Sequence, residues 1–248
     1  MPPSWQTSIG WCRGLLLAGS LLLVGTRSAD LTGAEGTGFT PAGSAPAIQA
    51  AFRANLKAVR DWVGEKDFAS AEETTRGLTS LAHLCGQYSG DADWRKRCSD
   101  LQAATVGLAD AAKRKSAVDC DKAAQRCAAV LEELAKNPPK AGDKASADFK
   151  PLGAVKTWMV LMDGSYVDAK SAKTPADLAL VLQGVAAEAN ATAYLRGDAT
   201  WRKDSFAVRD TALQIAGQTE KGDLPALRKS LKEIYNRCEA CHDRSRKK

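Results

Sequence analysis

The sequence predicts an all-α protein built from two tandem up-down four-helix-bundle-like modules that arose by internal duplication. Three observations carry this expectation. Alanine, leucine, lysine and glutamate are abundant, aromatics are only 6% of the 248 residues, and β-branched runs are scarce, a balance that favours helix. Proline and glycine breaks are confined to a few places, and apolar residues recur at helical spacing between them. Finally, "GDADWRK" at 90–96 returns as "GDATWRK" at 197–203, with six of seven residues identical.

Two fainter echoes extend that repeat. "LKAVRDW" (56–62) resembles "LGAVKTW" (152–158), and "QRC" (125–127) resembles "NRC" (236–238). The order is kept, with separations of 107, 96 and 111 residues, so small insertions are expected between copies of about 95 residues.

Taken in order, the chain opens on an export signal over 1–28. Arg13 supplies the positive flank, "GLLLAGSLLLVG" (14–25) the apolar core, and small residues follow in "TRSAD". An apolar run of about 12 residues is short for a membrane span. The expectation is a cleaved signal peptide and a periplasmic or otherwise exported protein, with membrane attachment only if the signal stays uncleaved. Residues 29–46, rich in Gly, Ala, Pro and Thr, read as a flexible linker. The N-terminal module, 47–137, is expected to hold helices at 47–64, 68–86, 92–114 and 118–136. Pro138 and Pro139 open a second linker, 138–148. The C-terminal module, 149–248, is expected to hold helices at 150–163, 174–194, 199–218 and 223–243. Short connections between helices of this length favour antiparallel neighbours.

The formal charge is +6, of which nine Lys/Arg against four Asp/Glu from Lys221 onward contribute +5. A nearly neutral remainder excludes a nucleic-acid-binding surface. Export changes how the cysteines read, because thiols outside the cytoplasm tend to pair. Cys85, Cys98, Cys120 and Cys127 form one group with three possible pairings. Cys120 and Cys127, seven residues apart on one helix (about 10 Å of rise), are not expected to pair with each other in a straight helix.

The chemistry concentrates in "RCEACH" at 237–242. Leu224, Leu227, Leu231, Ile234, Cys238 and Cys241 alternate by three and four, so both thiols share the apolar face of the last helix. His242 stands four residues past Cys238. A dithiol redox site wants a helix N-terminus, and a structural zinc site wants four ligands; the only other histidine is His83, in the other copy. Cys-x-x-Cys followed by His is the pattern of covalent haem attachment, with the histidine holding the iron.

At the C-terminal end of an exported helical chain, "CEACHDR" resembles the class II c-type cytochromes, the cytochrome c′ family of antiparallel four-helix bundles. The resemblance covers about 147–248. It implies one covalent haem c, thioether bonds at Cys238 and Cys241, and His242 as proximal iron ligand. It also implies that the first helix of the bundle supplies the opposite face of the iron. There, in "VKTWMVLMDGSY", Met159 is the expected distal ligand and Met162 the alternative. Lys156 stands where that family usually shows an arginine.

Aligned on "NRCEACH", the stretch "QRCAAVL" puts Cys127 on Cys238, Val130 on Cys241 and Leu131 on His242, so the first module is expected to carry no haem. The reading is a non-enzymatic, exported monohaem cytochrome in electron transfer. Its alternatives are a five-coordinate haem protein binding small gases (NO or CO) and an interaction module with a structural haem. An acidic redox partner is expected near a basic collar of Arg244, Arg246, Lys247 and Lys248. His83 reads as a hydrogen-bonding residue, Trp94 and Trp201 as packing residues, and the "NAT" triplet at 190–192 carries little weight as a glycosylation site.

Overall fold

Local capping chemistry starts nearly every helix. The computed structural model describes residues 39–139 and 149–246, with side chains described as far as Arg244. The expected signal peptide, Cys12 and most of both expected linkers lie outside the described residues. Eight α-helices are described: α1 (Ala45–Gly64), α2 (Phe68–Cys85), α3 (Ala92–Lys113), α4 (Ala117–Lys136), α5 (Val155–Ser171), α6 (Pro175–Thr192), α7 (Ala199–Gln218) and α8 (Leu224–Arg246). A single 3-10 turn, Gly86–Tyr88, follows α2, and the described residues contain no strand. The all-α expectation holds.

The caps recur with one spacing. Asp67 accepts from the Ser70 N–H, and Thr174 accepts from the Asp177 N–H. Asp91 accepts from the Asp93 and Trp94 N–H groups, and Asp198 from those of Thr200 and Trp201. Ser116 accepts from the Asp119 N–H, and Asp223 from the Ala226 N–H. Each of these three pairs of caps is 107 residues apart. Each cap satisfies a backbone donor that the first turn would leave unpaired. The repeated heptapeptide also folds the same way twice. Trp94 Nε1 donates to the Cys85 carbonyl at 2.9 Å, and Trp201 Nε1 to the Thr192 carbonyl at 2.7 Å, both nine residues back.

The two fainter echoes do not share this register. Residues 56–62 form the last two turns of α1, whereas 152–158 straddle the start of α5. Counted from the caps, Cys127 stands opposite Ile234, while Leu131 and Leu134 hold in α4 the places of Cys238 and Cys241 in α8. The separations of 96 and 111 therefore depart from the 107 that the caps keep.

Within each group of four, consecutive helices pack antiparallel, and the fourth returns against the first: α1–α2–α3–α4 and α5–α6–α7–α8. The closures differ. α4 packs well on α1, but α8 barely touches α5, and Tyr166 helps bridge that seam by donating to the Leu231 carbonyl at 3.3 Å. The two groups also pack on each other, α1 against α5 and α6, and α2 against α5. Gly77 makes one of these approaches possible: a Cβ there would lie 2.8 Å from Leu161. Trp158 and Leu161 of α5 are fully buried in the core that the first four helices build.

Both ends of α5 and the extent of the first linker depart from expectation. α5 begins at Val155 rather than 150, because Pro151 cannot continue a helical ladder and Gly153 takes φ +86°, in the left-handed region. It runs on to Ser171 rather than stopping at 163. Gly164 does not end it, since the missing side chain leaves room for Asn55 Oδ1, 3.2 Å from where a Cβ would stand. The linker expected over 29–46 is packed from Phe39 onward. Phe39 is 4% exposed and packs against Phe149, the rings tilted by 37° with centroids 4.1 Å apart. Asn190 Nδ2 and Tyr88 Oη hold the carbonyls of Thr40 and Ala42.

Candidate functional site

The last helix carries its apolar stripe inward. Leu227, Leu231, Ile234 and Cys241 are buried and Cys238 is half-buried, while Arg228, Lys232, Arg237 and Glu239 face water. Between this stripe and the facing helices lies a cavity of about 190 Å³. One water needs roughly 10–15 Å³ on this measure, so the space is far more than a packing defect. α8 lines it with Ile234, Cys238, Cys241 and His242; α6 and α7 supply Val185, Ala189 and Val208. Met159 and Met162 close the α5 side, and Tyr166 and Tyr235 stand at the sparse α5–α8 seam. Every sequence-predicted site residue therefore meets at one cavity.

The thiol electrostatics narrow its chemistry. Burial, then Cys241, Glu239 and Asp163, push the Cys238 thiol up to about 11. A disulfide-exchange site needs an activated thiolate, and this environment works against one. Zinc fares no better: among the described residues no three His, Cys, Asp or Glu side chains converge as ligands. The residues present fit a covalently held porphyrin: two thiols on one helix face, an adjacent imidazole and two thioethers line one largely apolar cavity.

His83 is elsewhere. It stacks on Phe149 and hydrogen-bonds the Lys150 carbonyl at 3.1 Å, and burial holds its pKa below the usual imidazole value. Lys156 reaches across to Glu73 of α2 at 2.7 Å, so the cation near the α5 start ties the two bundles together. Asn190 is buried between Thr40 and Arg209, which removes it as a glycan acceptor. Arg244 grips Asp204 of α7 through Nε and Nη2, at 2.9 and 2.5 Å, and so pairs a carboxylate that lines the cavity. Of the expected basic collar, the Arg246 side chain, Lys247 and Lys248 lie outside the described residues.

The same positions in the first bundle are filled. Counting back 107 residues from Met159, Val185, Val208, Cys238 and Cys241 gives Phe52, Leu78, Leu101, Leu131 and Leu134, each no more than 1% exposed. Larger and more numerous hydrocarbon groups occupy the equivalent space, and Ala135 stands opposite His242. At these positions the first bundle carries hydrocarbon side chains and none of the expected ligands.

Sequence reasoning missed Glu188. Its carboxyl is fully buried in α6, one turn from Thr192 and Val185; Oε1 accepts from the Ser165 hydroxyl at 3.0 Å and Oε2 has no partner. Burial pushes its pKa up to about 8, the Ser165 bond acting against the shift. The signal was present, as the lone charged residue in the run "LALVLQGVAAEANAT".

No family model, curated protein or solved structure matches the chain.

Proposed function

We propose that the protein is an exported monohaem c-type cytochrome that transfers electrons, similar in its C-terminal half to the cytochrome c′ family. The observation that carries this reading is the convergence of Cys238, Cys241, His242, Met159 and Met162 on one largely apolar cavity. Cys238 and Cys241 would form the two thioethers, His242 would hold the iron, and Met159 would face it from α5, with Met162 one turn along. Haem c, when bound, supplies one-electron chemistry at iron. The chain's own contribution is to exclude water with Val185, Ala189, Val208 and Ile234, and to fix α8 through the Arg244–Asp204 pair.

The 107-residue spacing of the caps supports an ancestral duplication. In that account the first copy became a scaffold: its core is closed, and its outer face carries α5. The remaining basic tail is proposed to steer an acidic redox partner.

Optical spectroscopy of protein made in a host competent for haem attachment tests the reading. The expected outcome is a six-coordinate low-spin spectrum that does not shift under carbon monoxide. A high-spin spectrum that shifts on adding the gas replaces electron transfer with gas binding.

A further inference from the structure

Four cysteines of the first bundle take no part in the site described above. Cys85 ends α2 and Cys98 lies in the second turn of α3, and their thiols are in hydrogen-bonding contact. They are 1% and 2% exposed. The backbone around them is fixed. Trp94 Nε1 donates to the Cys85 carbonyl, and the residue after Cys85 abuts α3: a Cβ built on Gly86 would lie 3.6 Å from Cys98 Cβ. The other two thiols are placed differently. Both lie on the buried face of α4, where seven residues of helix separate them by about 10 Å, beyond the span of a disulfide. The charges that act on them are those of Asp119 and Arg114 at Cys120 and of Arg126 and Arg60 at Cys127, with no thiol among these influences.

We propose that Cys85 and Cys98 form the only disulfide of the N-terminal bundle, leaving Cys120 and Cys127 as buried thiols. The Sγ–Sγ bond forms as two S–H bonds break. Two electrons pass to an external disulfide, of an oxidoreductase or of glutathione, which leaves as two thiols with the two protons. The contact with Cys98, then burial, pushes the Cys85 thiol well above its usual value. The thiolate needed for exchange is thus suppressed once the core has closed, so the bond would form before that, and the finished bond would be shielded from reductant. The bridge would tie the end of α2 to α3 across the 3-10 turn. By the cap count these positions match Thr192 and Ser205, which line the cavity of the second bundle. The bridge would thus stand in the first bundle where the second lines its cavity. The proposal rests on the export half of the proposed function.

Trypsin separates all four cysteines, into peptides 77–95, 98–113, 116–122 and 127–136, and puts the haem motif in 238–244. The exported protein, unfolded in iodoacetamide without reductant and then digested, should yield 77–95 joined to 98–113, with Cys120 and Cys127 alkylated. Reduction should release the pair and lower the Tm by roughly 6–12 °C, as a loop of this length implies. Alkylated Cys85 and Cys98 in a chain whose 238–244 peptide carries haem overturn the disulfide and leave the cytochrome reading standing. A chain without haem overturns that reading instead; the reduced full chain, refolded in a mixture of oxidised and reduced glutathione, then decides the disulfide by the same map. A link from either residue to Cys120 or Cys127 overturns the proposal in every case.

Discussion

Glu188 keeps a proton that an exposed carboxyl would lose. It is held to about pH 8 in the folded chain and lost near 4.5 when unfolded, so the folded state binds the extra proton between those values. Stability therefore falls as pH rises from about 4.5 to about 8, by ~1.4 kcal/mol per unit at most. Wild-type protein should lose roughly 3 kcal/mol between pH 5 and pH 8, and Glu188→Gln should lose far less. Urea midpoints at the two pH values check this, and parallel losses in both proteins contradict it. The methionines give a second residue-scale prediction. Met159→Leu should convert the low-spin spectrum to high-spin, while Met162→Leu should leave it low-spin. The reverse result transfers the ligand role to Met162. Cys238, Cys241 and His242 were legible because spacings of three and four on a helix decide which side chains share a face. Glu188 was not, because its neutralisation depends on what α5 brings against it.

At the scale of elements, caps wrote most boundaries into the sequence. Asp or Ser three residues before a helical donor is a local signal, and six of the eight helices begin within two residues of where it points. α5 was misplaced at both ends, only the second of them for a non-local reason. Its start waits on the backbone of Gly153, and its continuation past Gly164 depends on Asn55 of another helix. Equivalent caps should carry equivalent weight: Asp91→Ala and Asp198→Ala are each expected to cost about 1 kcal/mol. Denaturant unfolding of the two variants measures this, and a loss confined to one would separate the two heptapeptides. Gly77→Ala should be worse than either cap variant, because Leu161 is fully buried and cannot retreat; overpacking of this kind costs about 1–3 kcal/mol.

Across the whole molecule, the two bundles share a core rather than a linker. Trp158, Leu161, Ala187 and Ala191 of the second bundle are buried among residues of the first. Residues 149–248 produced alone should therefore lose helix content and aggregate, whereas the full chain unfolds in one transition; circular dichroism of both distinguishes this from independent modules. The sequence showed the number of helices and their order, because each helix is a local event. It did not show this shared core, since no periodicity within one helix reports which face meets a distant helix.

The central claim is that the cavity under α8 holds one covalent haem and the first bundle holds none. Haem-to-chain stoichiometry, measured after denaturing the protein purified from a host competent for haem attachment, tests it most directly. One haem per chain, retained on the 238–244 peptide and lost when Cys238 and Cys241 are both changed to alanine, is the predicted result. No retained haem, or two per chain, would contradict it.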